Sequence, residues 1–109
     1  YTDNDIVMLA MDLDNGYCYF GKNGSWENSG DPTSGSTGTG GYATSNMTAG
    51  GTYCFAASCR EAGNVQFNFG NPPFSISSGN ADANGFGNFE YAPPSGYYAL
   101  NTSNLNTYG

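Results

Sequence analysis

The feature that most limits what this chain can fold into is the run from Ile6 to Gly24, an alternating apolar strand followed by two Asn-Gly turns. In an extended segment side chains alternate between faces. Val7, Leu9, Met11 and Leu13 therefore share one face, with Ile6, Met8, Ala10 and Asp12 on the other. The first face is uniformly apolar and is the expected core face. Asp14-Asn15-Gly16 predicts a tight hairpin, because Asn and Gly accept the positive φ of primed turns. Tyr17 to Phe20 is the expected return strand, and Lys22-Asn23-Gly24 predicts a second turn.

Composition then decides what could surround this hairpin. Of 109 residues, 38% are hydrophobic, and nine Tyr, seven Phe and one Trp supply much of that share. A chain of this length fits one domain, which buries roughly two-thirds of the surface that its unfolded form exposes. Aromatic residues suit pleated surfaces, while 17 Gly and five Pro suit turns, so almost no helix is expected.

Thr52 to Cys59 and Asn64 to Phe69 read as a second hairpin, turned by Arg60-Glu61-Ala62-Gly63. Tyr53, Phe55 and Ala57 alternate on one strand, and Val65, Phe67 and Phe69 on the other. Pro72-Pro73 ends that ladder, because proline cannot donate the next hydrogen bond. The Gly/Ser/Thr-rich stretch from Ser25 to Gly51 is either a contact loop or a passive linker. Short paired strands joined by turns predict an all-β antiparallel sandwich, with a jelly roll fitting equally well on these grounds.

Nine acidic and two basic residues give a net charge of −7. Phosphate binding needs clustered Lys and Arg, so no nucleic-acid partner is expected, nor an anionic membrane surface. The plain reading of the charge is solubility. Cys18, Cys54 and Cys59 are odd in number and cannot form a closed disulfide framework; free thiols suit a reducing cytoplasm. In a strand, Cys54 and Cys59 would point to opposite faces, which disfavours a bridge between them. No apolar run is long enough to span a bilayer as a helix.

There is no His, which removes Ser-His-Asp and Cys-His catalysis and the commonest metal ligand. Asp12-x-Asp14-x-Gly16 resembles the start of a calcium loop, but the twelfth position, which should be a bidentate Glu, is Asn23. A turn-stabilising role for Asp14 is the simpler reading. A glycosidase pair would have to come from Asp3, Asp5, Asp12, Asp14, Glu27, Asp31, Glu61, Asp82 and Glu90, none of which lies in a recognisable catalytic motif. Three Asn-x-Ser/Thr sequons, at Asn23, Asn46 and Asn101, fit chance in so polar a chain.

The segment Ile6-Val-Met-Leu-Ala-Met-Asp-Leu-Asp-Asn-Gly-Tyr-Cys-Tyr-Phe-Gly-Lys-Asn-Gly24 resembles the central hairpin of SPRY domains. Gly24-Ser-Trp-Glu-Asn-Ser-Gly-Asp-Pro32 is similar to a motif of SPRY-like domains in tailed-phage structural proteins. So is Asn68-Phe-Gly-Asn-Pro-Pro-Phe74, followed by Tyr91-Ala-Pro-Pro-Ser-Gly-Tyr-Tyr-Ala-Leu-Asn-Thr-Ser-Asn-Leu105. The resemblance implies a concanavalin-like β-sandwich over residues 1–109, or its C-terminal portion, because SPRY domains have further strands before the hairpin. It implies no catalysis, no cofactor and no metal. It also marks Ser75 to Glu90 as longer than usual, a contact loop particular to this chain.

The expected function is accordingly a non-enzymatic phage virion module, on a tail fibre or as a capsid decoration, that binds a host-surface glycan or protein. It would be assembled in the host bacterial cytoplasm. Trp26, Asp31, Tyr42 and Tyr98 are the candidate ligand contacts, since an aromatic side chain can stack on a sugar or anchor an interface. The plain alternative for Trp26 is packing over the sandwich end; Tyr97 is expected to face the core. Two rival functions stand beside this one. One is a purely structural cap or cement that touches other virion subunits; the other is a carbohydrate-active enzyme, which needs two carboxylates facing across a cleft.

Overall fold

The computed structural model describes residues 1–43 and 51–108, and the chain divides into two compact units, Tyr1–Gly51 and Thr52–Gly109. In the first unit the hairpin forms where the alternation places it: β1 (Val7–Asp12) pairs antiparallel with β2 (Tyr17–Lys22), with Ala10 opposite Tyr19 and Asp12 opposite Tyr17. Two short strands pair with the other edge of β2, β3 (Ser25–Trp26) at one end and β4 (Tyr42–Ala43) at the other.

The two Asn-Gly sequences do different things. At the second, Lys22 pairs with Ser25, so the loop is the dipeptide Asn23-Gly24, with φ of 49° and 87°. Positive φ at both central residues is the mark of a type I′ turn. Asn23 is held there by accepting from Ile6 N at 2.8 Å and donating to Asp5 Oδ1 at 2.7 Å. At the first, the loop has four residues, Leu13 to Gly16, and Gly16 turns at φ 74°. Asp12, not Asp14, stabilises this turn, accepting from Asn15 N at 3.0 Å and Asn15 Nδ2 at 2.8 Å. The primed two-residue turn expected at Asn15-Gly16 is displaced because that capture supports a wider loop.

Which face of the sheet is covered is opposite to the expectation. Tyr19 is 1% exposed and its register partner Ala10 6%, and the neighbouring pair Met8 and Gly21 shares their face. Val7 is 54% exposed and Leu9 38%. Both faces of β1 are apolar, so alternation alone could not choose between them; the residues after β3 choose. They fold as two 3-10 segments, Glu27–Ser29 and Pro32–Thr37, over the tyrosine side. A Cβ on Gly41 would lie 2.8 Å from the Tyr19 ring, and one on Gly38 would overlap the Tyr17 ring. Gly38 also has φ 61°, where an L side chain is strained. The glycines of the Ser25 to Gly51 stretch thus let backbone lie directly on aromatic rings. In residues 25–43 this stretch is a cover, neither a passive linker nor a free loop; Asn46 and Met47 lie outside the described residues.

The all-β sandwich, and with it the SPRY/concanavalin-like architecture, is not what forms. The regular β-structure described is one open antiparallel sheet of four short strands. The reason lies in the second unit, where neither Thr52 to Cys59 nor Asn64 to Phe69 becomes a strand. The Arg60-to-Gly63 turn does close, with Gly63 N donating to Arg60 O, and the Phe55 and Phe69 rings approach to 5.6 Å. An isolated hairpin is marginal in water, and Ala56, Ala57 and Ser58 contribute little side-chain burial to it. Val65 and Phe67 stay exposed. Without a second sheet there is nothing to stack on the first.

The second unit is instead held by side chain to backbone hydrogen bonds. An isolated bridge joins Asn80 and Phe89, each N–H donating to the other's carbonyl at 2.8 Å. The chain ends in a helix that was not expected, α1 (Thr102–Tyr108). Asn101 caps it by accepting from Asn104 N at 3.0 Å, a role for which Asn is among the preferred residues.

Candidate functional site

Trp26, Asp31 and Tyr42, the three candidate contacts of the first unit, are not gathered by the sheet into one site. Trp26 lies opposite Gly21 and shares its face; a Cβ on Gly21 would stand 3.0 Å from the Trp26 ring and closer still to Met8. The indole therefore packs over a position without a side chain and is half-buried. Tyr42 lies opposite Cys18 and so belongs to the other face. There it is 47% exposed and meets Phe20 edge-on, ring centroids 5.6 Å apart. Tyr98 belongs to the second unit and is 44% exposed.

Asp31 is a cap. Its Oδ1 accepts from Thr33 N at 2.8 Å and Thr33 Oγ1 at 2.6 Å, opening the second 3-10 segment. The Thr33 hydroxyl and N–H hold its carboxyl below the usual carboxylate range. Its carbonyl accepts from Ser34 Oγ at 2.7 Å, and that hydroxyl in turn accepts from Thr39 N and meets Tyr19 Oη at 3.4 Å. Asp31 thus braces the cover over Tyr19.

The other perturbed carboxylates are engaged in the same way. The Thr2 N–H and the Asn23 amide, with Lys22 3.4 Å away, hold Asp5 at about 2. Hydroxyl and N–H groups of Ser77 and Ser78 hold Glu90 at about 2, with Ser77 Oγ 2.5 Å from Oε1. For Asp82 burial is the largest influence and opposes ionisation. Four donors together outweigh it and hold the carboxyl below its ordinary value: Ala99 N, Asn104 Nδ2, Phe86 N and Asn84 N, at 2.7 to 3.0 Å. Asn104 also donates to Ala99 O and accepts from Asn84 Nδ2, so the cluster is closed on itself. A general acid for glycoside cleavage needs a raised pKa, and these four carboxyls are all lowered. Among the described residues, no group of three or more His, Cys, Asp or Glu side chains could hold a metal ion.

What remains available for contact is the open face of the sheet. Val7, Leu9, Phe20 and Tyr42 lie on it by register, each at least 37% exposed. Cys18 is buried on the same face, and burial pushes its thiol up. Cys54 and Cys59 are free and exposed. Sequence reasoning named Tyr42 here but missed Phe20, Val7 and Leu9, because it assigned their face to the core. Comparison with protein-family models, with curated proteins and with solved structures finds no match.

Proposed function

We propose that this chain is a non-enzymatic module that contacts protein subunits of a phage particle through the open face of its sheet. The observation that carries the reading is the exposure of Val7, Leu9, Phe20 and Tyr42 side by side on that face. Aromatic anchors among aliphatic neighbours are the usual centre of a protein interface. The phage setting rests on the resemblance of the Gly24-to-Pro32 and Asn68-to-Phe74 segments to tailed-phage structural proteins. A host-surface glycan is the second reading, favoured by the half-exposed Tyr42 ring, which offers a stacking surface beside Phe20.

Cross-linking the chain to purified structural subunits of a tailed-phage particle, alongside a glycan array, tests both. The first reading expects a subunit adduct that Phe20→Ala and Tyr42→Ala abolish and Trp26→Ala leaves in place. Glycan binding sensitive to Tyr42→Ala, with no adduct, would replace it by the second reading. Neither adduct nor glycan binding would remove both.

A further inference from the structure

The free edge of β1 carries an inference independent of that reading. Asn23 N donates to Ile6 O, which makes Ile6 and Asn23 a hydrogen-bonded pair across the hairpin. Such pairs alternate along an antiparallel ladder. Met8, Ala10 and Asp12 therefore direct their main-chain groups toward β2. Val7, Leu9 and Met11 direct theirs outward, where no strand pairs with β1 among the described residues. The type I′ turn agrees, since it turns Lys22, opposite Val7, toward Ser25 on the other side of β2.

Over Val7 to Met11 this edge lacks the devices that keep edges single; the one charge of β1, Asp12, stands at its far end on the Tyr19 face. Natural edge strands carry Lys, Pro, a bulge or an inward charge. Val7-Met8-Leu9-Ala10-Met11 has none of these, and its register with β2 is unbroken.

We infer that β1 pairs with β1 of a second copy of this chain, antiparallel about a two-fold axis at Leu9. Only this arrangement places all three outward-directed residues in register, Leu9 against Leu9 and Val7 against Met11. It also answers the objection that two chains of charge −7 repel. Asp12, the one carboxylate within β1, falls opposite Ile6, so no two carboxylates of the strands face each other across the pairing. Like charges directly opposite are destabilising, and this register avoids them. The pairing joins two four-stranded sheets into one, with Val7 and Leu9 of both copies adjacent on its open face. It is an isologous contact that closes at two copies.

Light scattering coupled to size-exclusion chromatography, run over a concentration series, tests this on the intact chain. The expected mass is twice 11.4 kDa, falling to 11.4 kDa for Leu9→Pro. Proline at position 9 removes an outward N–H while leaving the bonds through Met8 and Ala10. Should the variant fail to fold, amide exchange on the wild type still decides. Pairing protects the Val7, Leu9 and Met11 amides together with Met8 and Ala10, and dilution removes protection from the first three alone. A monomer at every concentration would overturn the inference. So would protection of Val7, Leu9 and Met11 that dilution leaves unchanged.

Discussion

The two units use similar residues to opposite ends. In the first, a ladder comes first and packing follows: β1 and β2 pair over six residues, and glycine-rich backbone then closes over Tyr17 and Tyr19. In the second, the candidate strands pair over no length, and a buried carboxylate organises the chain. Asp82 collects four N–H donors from residues up to 22 positions away, and Ala99 is the one buried apolar side chain of that unit among the described residues. Aromatic content alone does not make a sheet. The first unit has an alternating strand with a turn that holds its register, whereas the second has Ala56-Ala57-Ser58 where β-branched or aromatic residues would be needed.

The contrast breaks first at Tyr19. Tyr19→Ala removes the ring on which the cover rests and should cost about 3 kcal/mol or more, read as a lower urea midpoint by Trp26 fluorescence. Unchanged stability would mean that the ladder alone holds the first unit. Asp82→Ala leaves several buried donors without an acceptor, for an expected loss of about 2 kcal/mol. Amide exchange at Ala99 and Phe86 should rise sharply while Ala10 and Met8 stay slow. Equal acceleration in both units would show that they unfold as one. For Gly38→Ala, strain at φ 61° and overlap with the Tyr17 ring predict a loss of about 1–2 kcal/mol from the first unit.

A gentler test is pH. Asp5 and Glu90 have folded pKa values near 2, below those of the unfolded chain. Their contribution is therefore complete above about pH 4.5 and is lost as pH falls toward 2. Glu90→Gln should flatten that loss in the second unit alone, followed by the exchange of the Asn80 and Phe89 amides. A pH profile identical to wild type would detach Glu90 from the stability of its unit. Smallest of all, Tyr42→Ala should change stability by less than about 1 kcal/mol, since the ring is half exposed. A larger drop in thermal midpoint would give the open face a role in folding.

The strands β1 and β2 and the Asn23-Gly24 turn were legible, because strand alternation and positive φ are local properties; the wider first turn was not, since it depends on Asp12 capturing Asn15. The cap at Asn101 was legible in principle, as an Asn directly before the Gly- and Pro-free run from Thr102 to Tyr108, but the composition of the chain argued against helix. The cap at Asp31 was also local, its partner Thr33 lying two residues on past Pro32; the role of Glu90 was not legible, since Ser77 and Ser78 are 13 and 12 positions away. Of the candidate contacts, Tyr42 remains on an open face, while Trp26 and Asp31 are taken up by packing and capping.

The sequence by itself determined the two strands of one hairpin and the Asn23-Gly24 turn, the absence of His-dependent chemistry and the poverty in cations. Those follow from residue identity and from the period of a strand. Only the tertiary structure decided which face of β1 is covered, because both faces are apolar and the choice falls to the chain that closes over Tyr19. It alone decided that the second unit would be organised by the Asp82 cluster, because two of its four donors, Ala99 N and Asn104 Nδ2, lie 17 and 22 positions away and leave no local signature. The sandwich expected from turns and aromatics needed a second sheet, and local pattern cannot supply the partner that a strand must have.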